Sequence, residues 1–173
     1  GSVKSDDSLR TIRGFSTSAQ EKLTGEKWFD VYAAYWDGNS DYADLFTTSA
    51  CNGTGTFLGA SEVTREESCV KGAQYQNIWM YVIHELEDAI DDCENGDLTA
   101  NDGGPHAWDE GWAFYAGSLE GTDGEGDGVM IHALADKRCL NFATCTGDDD
   151  GSEFTGSSAV NADLLELFQE GQV

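Results

Sequence analysis

Between residues 71 and 93, Trp79, Ile83, Leu86, Ile90 and Cys93 recur at the spacing of one helix face, with Val82 and Ala89 at its edge. A stripe of that length cannot alternate across a strand, so it predicts a long amphipathic helix and commits the chain to packing other helices against it. Asn95-Gly96 ends the pattern, and an Asp/Asn/Gly-rich loop runs to Gly104. Pro105 then stands where a first-turn proline belongs, predicting a helix over 105–119 with Trp108, Trp112, Tyr115 and Leu119 on one face. Ala113 and Gly117 lie nearly opposite, and small residues there would admit a second helix.

The same reading extends along the chain. Residues 16–36 predict a first helix, capped by Ser16 or Ser18, with Trp28, Val31, Tyr32, Tyr35 and Trp36 at helical spacing; Gly25 is a point where it can split. A turn over 37–41 leads to a short apolar piece, 42–46, and then to a glycine-rich loop over 49–62. Residues 130–142 predict another helix, and Ala162, Leu164, Leu165, Leu167 and Phe168 predict a terminal one. Strand patterns are weak. The expected architecture is all-α, a disulfide-stabilised helical bundle with long acidic loops, in which 1–15 form a flexible N-terminal segment and 16–173 a single helical domain. With 8 Phe, 6 Tyr and 5 Trp there is bulk enough for a core, and a disordered chain is excluded.

Nine Lys and Arg stand against 33 Asp and Glu, a formal net charge of −24. Such a surface repels nucleic acid and anionic lipid and draws cations. Direct membrane insertion is not expected either, because no apolar run is long enough to span a bilayer. The opening Gly1-Ser2 reads as a cloning scar, so the lack of a leader says little about targeting. Five cysteines allow two disulfides with one thiol over, and Cys51 with Cys69 and Cys139 with Cys145 are the preferred pairs, although spacing does not fix connectivity. An oxidising compartment follows, and Asn52-Gly53-Thr54 is a glycosylation sequon that fits it.

Three groups of side chains have the composition of a cation site. His84, Glu87, Asp88 and Asp91 recur three and four apart on the long helix, where one imidazole can share a cation with a carboxylate a turn away. His-Glu-Leu-Glu-Asp lacks the second histidine of a zinc-protease motif, and one imidazole among carboxylates suits iron, manganese or calcium better than structural zinc. His106, Asp109 and Glu110 lie on the next helix, with Tyr115 or Tyr35 able to supply a phenol. Two such helices joined by a short loop pack antiparallel, which would set His84 and Glu87 facing Asp109 and Glu110. The third group is the loops at 37–41, 123–127 and 148–153, rich in oxygen donors but without the twelve-residue calcium pattern. The plain alternatives are a solvated acidic face with His84 pairing with Asp88, a His106 that caps or pairs near its helix start while Asp109 and Glu110 favour the helix dipole, and solvated loops. His132, on an apolar segment, reads as a satisfied boundary residue.

Residues 79–90, Trp-Met-Tyr-Val-Ile-His-Glu-Leu-Glu-Asp-Ala-Ile, and 107–118, Ala-Trp-Asp-Glu-Gly-Trp-Ala-Phe-Tyr-Ala-Gly-Ser, resemble the Fea-type iron-assimilation proteins of algae. The resemblance implies a secreted, periplasmic or cell-surface protein in iron uptake. It also implies tandem copies or an uptake partner at the cell surface, and ferric or ferrous iron held with a small anion such as carbonate. It carries over no ligand set, so His84, Glu87, Asp88, Asp91, His106, Asp109, Glu110 and Tyr115 rest on helix geometry alone. Iron capture is the leading expectation, more in keeping with a binding protein than an enzyme. The alternatives are a metal-dependent hydrolase on the same cluster and an acidic calcium-binding structural or adhesion module.

Overall fold

The computed structural model describes residues 11–117, 128–147 and 154–172. These divide into two compact units, one ending at Asn77 and the other beginning at Ile78. Of the N-terminal segment expected to be loose, residues 1–10 lie outside the described part, and residues 11–15 open the first helix. The acidic loops at 123–127 and 148–153 likewise lie outside the described residues.

The first unit holds α1 (Ile12–Lys22), α2 (Lys27–Tyr35), α3 (Tyr42–Asn52), a 3-10 turn (Gly55–Phe57) and α4 (Glu62–Gly72). The helix expected over 16–36 is thus two helices. Thr11 caps α1 by accepting a hydrogen bond from the Gly14 amide, and Gly25, at φ +97°, adopts a left-handed conformation that breaks the run before α2. The short apolar piece at 42–46 grows into an eleven-residue helix, α3. Tyr42 is the buried centre of this unit, with Phe29, Tyr32 and Trp36 around it and the Trp36 ring stacked on its own at 6.5 Å. Cys51 and Cys69 join α3 to α4 in the expected disulfide.

The long helix expected over 71–93 is also interrupted. Residues Ala73–Ile78 wind as a π-helix, after which α5 (Trp79–Asn95) is regular. Its C-terminus is closed by Gly96 in the left-handed region, whose amide donates to the Cys93 carbonyl while that of Asp97 donates to Asp92. After a short loop come α6 (Gly104–Ala116), α7 (Ile131–Phe142), the strands β1 (Cys145–Gly147) and β2 (Phe154–Ser158), and α8 (Ala159–Gly171). The two strands form one antiparallel pair, an addition to an otherwise helical fold that the weak strand patterns did not foretell. The second expected disulfide, Cys139–Cys145, ties α7 to β1.

Two packing relationships position the candidate site. α5 and α6 run antiparallel, with Leu86 against Gly111 and Cys93 against Gly104. The close approach of α5 falls on Gly104 and Gly111, while Gly117, one of the small residues expected to admit another element, lies against Met130 just before α7. The α8 helix then covers the indole face of α6: Trp108 donates from Nε1 to the Phe168 carbonyl at 3.0 Å, and the Phe168 ring lies 4.9 Å from Trp108 and 4.7 Å from Trp112. The core between these helices is Ile78, Val82, Tyr115 and Ile131, each contributing about 1.5–3 kcal/mol where its apolar surface is fully withdrawn from water.

Candidate metal centre

The buried face of α5 differs from the stripe read in the sequence. Ile90 is 54% exposed, whereas Glu85 is only 9% exposed, at the level of Gly111. The absence of a side chain at Gly111 admits Leu86 and Glu85, and that at Gly104 admits Ala89 and Cys93, to the contact between α5 and α6. His84, Glu87, Asp88 and Asp91 lie outside that seam, His84 and Glu87 half-buried, Asp88 and Asp91 exposed. The Tyr81 ring meets the His84 imidazole edge-on at 6.2 Å and lies 5.3 Å from Phe114 of α6.

On α6, His106 and Glu110 come together one turn apart, Nε2 to Oε1 at 3.4 Å, both partly exposed, and Asp109 is exposed beside them. Among the described residues no three His, Cys, Asp or Glu side chains converge as a metal-holding group. Leu86, Ala89, Gly104 and Gly111 occupy the seam together with the buried Glu85, whereas the expected donors His84, Glu87, Asp88 and Asp91 are half-buried or exposed.

Where the C-terminal end of α5 meets the following loop, Asp88, Asp91, Asp92 and Asp97 share one field. Loss of hydration beside Gly104, and then the charges of Asp88, Asp97 and Asp91, hold the Asp92 carboxyl above the usual carboxylate range. Part of this negative charge is fixed in place: Asp97 Oδ1 accepts from the amide and hydroxyl of Thr99. A cleft of about 450 Å³ opens at the other end of α6, lined by Ala113, Phe114, Gly117, Val129 and Met130, with Glu110 the one carboxylate among the described residues that line it.

Tyr115 is not on this face. It is 2% exposed, and its hydroxyl donates to Asn161 Oδ1 of α8 at 2.6 Å. Burial first, and then the charge of Asp136, push its phenol up to about 12. The structure surrounds it with residues for which the sequence suggested no joint role. Asp136 Oδ1 accepts from the Ser158 amide at 2.6 Å and from Asn161 Nδ2 at 2.7 Å, and Asn161 Nδ2 also donates to the His132 carbonyl at 3.0 Å. The His132 ring, 8% exposed, lies edge-on to Trp112 and Tyr115. Its Nδ1 stands 3.5 Å from Asp136 Oδ2 and makes no hydrogen bond, so the boundary residue expected to be satisfied is not. The four-residue spacing of His132 and Asp136 was a local signal for this pair; nothing local announces Asn161, which arrives from α8.

The family model Fea1, low iron-inducible periplasmic protein, matches residues 1–173, the whole chain. No curated protein and no solved structure matches.

Proposed function

The chain belongs to the Fea1 family of low iron-inducible periplasmic proteins, and from that premise we propose that it captures iron in the periplasm for uptake. The whole-chain family match carries this reading, and the charge of −24 supports it, because such a surface concentrates cations before any site engages them. Two disulfides fit the oxidising compartment, and no helix among the described residues is long and apolar enough to cross a membrane.

On this reading iron is cargo. His84, Glu87, Asp109 and Glu110 are its first contacts, with Asp88, Asp91 and His106 as further donors on the same two helices. Their partial exposure lets them reorient around an arriving ion, and the carboxylates near the end of α5 draw it there. Carboxylate with imidazole suits iron in either oxidation state, and a small anion such as carbonate would complete the shell of a ferric ion. Asn52, exposed at the end of α3, is read as the position of an N-linked glycan, and an unchanged mass after endoglycosidase treatment of the native secreted protein would refute that.

The test is elemental analysis of the tag-free protein before and after iron is supplied aerobically with carbonate. Near-stoichiometric iron that falls in His84→Ala and Glu110→Ala supports capture at this face. Protein that takes up no iron under either condition refutes it.

A further inference from the structure

His132 presents an unusual combination: an imidazole nine-tenths buried, with an unpartnered Nδ1 aimed at a carboxylate oxygen it does not reach. A charge-assisted N–H···O bond settles at about 2.7–2.9 Å, and the pair stands at 3.5 Å. A polar nitrogen buried without a partner is costly, and folded proteins rarely leave one so. Two donors bound to one cation at about 2.1 Å each, at angles between octahedral and tetrahedral, stand about 3.0–3.4 Å apart. The separation of Nδ1 and Oδ2 is close to that of two ligands, and longer than that of a hydrogen-bonded pair.

The surroundings supply the rest. Asp136 Oδ1 is held by the Ser158 amide and by Asn161, which leaves Oδ2 as the oxygen turned to His132. The Tyr115 hydroxyl is joined to the same carboxylate through the single amide of Asn161. These groups belong to α6, α7 and α8, so the side chains are positioned by three packed elements rather than by one flexible loop.

We propose that Tyr115 Oη, His132 Nδ1 and Asp136 Oδ2 form a buried site for a hard cation, filled by ferric iron, with Asn161 as the residue that positions phenol and carboxylate. The identity of the metal rests on the iron-capture reading; the site itself rests on the geometry around His132. Burial and the charge of Asp136 hold the Tyr115 proton tightly, a cost that the bound cation must offset when the phenolate forms. On binding, the phenol O–H breaks heterolytically, its electron pair becomes the oxygen–metal bond, and the proton leaves to solvent. Iron keeps its oxidation state. Nδ1 donates its lone pair as neutral imidazole, and water or a small anion fills the remaining positions.

A phenolate bound to ferric iron absorbs visible light by ligand-to-metal charge transfer, which carboxylate and imidazole alone do not produce. Full-length protein is loaded with ferric iron and carbonate near neutral pH, and its visible spectrum and bound iron are measured together. The same measurements are made on Tyr115→Phe and His132→Asn, with metal-free melting temperatures to verify folding. The expected result is a visible band in the wild type, abolished in folded Tyr115→Phe and weakened or lost in His132→Asn. Iron bound without a visible band, and retained by Tyr115→Phe, would overturn this site while leaving iron capture standing. Absence of iron from every protein, wild type included, would overturn both.

Discussion

A Cβ added to Gly104 would stand 2.7 Å from Sγ of Cys93 and 3.0 Å from the backbone carbonyl oxygen of Ala89, so α6 begins with bare backbone pressed against α5. Gly111, two turns on, is less confined: its nearest neighbour is Leu86 Cδ2 at 3.1 Å, the end of a side chain that can turn aside.

Gly104→Ala should therefore lower stability by about 1–3 kcal/mol, the usual cost of overpacking, even against a helix-propensity gain of up to about 1 kcal/mol. Gly111→Ala should be near neutral, because the same gain meets the Leu86 side chain, Cδ2 at 3.1 Å and Cγ at 3.3 Å, rather than backbone. Urea melts of the two variants decide it, and equal midpoints would show that the backbone contact at Ala89 does not limit the packing.

The two disulfides should differ in worth. Cys51 and Cys69 are 18 residues apart and Cys139 and Cys145 only 6, so closing the longer loop restricts the unfolded chain more. By the chain-entropy relation the losses are about 3 kcal/mol and about 2 kcal/mol on replacement by serine. Thermal melts of the two paired serine variants measure the difference, and a larger loss at the short bridge would place its value in the folded state instead.

Asp92 gives a pH signature. Its carboxyl is held above the ordinary range, so the folded chain binds that proton more tightly than the unfolded one. Its contribution is most favourable at acid pH and is lost as pH rises through the folded value. Asp92→Asn should consequently raise the melting temperature at neutral pH and do so less as pH falls into the carboxylate range. A gain independent of pH would point to packing rather than charge.

Captured iron should leave on acidification. Ordinary carboxylates take up protons near pH 4 and imidazole near pH 6.5, and a protonated ligand cannot hold a metal. Bound iron is expected to stay at neutral pH and to fall steadily towards pH 4 in a titration followed by elemental analysis. A curve that is flat down to about pH 4 would remove carboxylates and histidines from the binding mechanism.

Much of this fold could be read locally. Pro105 and Gly96 mark helix ends by their own backbone chemistry, and both disulfides join the preferred cysteine pairs, whereas the first helix is capped by the Thr11 side chain rather than by Ser16 or Ser18. What could not be read was decided by a partner. Ile90, read onto the apolar stripe, is exposed, while Glu85, given no place on it, is buried opposite Gly111, a fact belonging to α6 and invisible along α5. The π-helical turn at Ala73–Ile78 has no periodicity that separates it from the α-helix expected there. For the candidate site, the donors on α5 and α6 were evident as residue types, but their placement around the seam depends on helix register. The environment of Tyr115 needed Asn161 and Ser158, which reach Asp136 from 25 and 22 residues away.

With Cys51, Cys69, Cys139 and Cys145 all engaged, Cys93 is left as the one free thiol, exposed on the last turns of α5 and next to Gly104. The unaltered protein thus comes with a single chemical address. A maleimide dye or spin label will attach one per chain, at a known point where the helices carrying the proposed iron contacts meet, and can follow whether that junction shifts as iron is loaded.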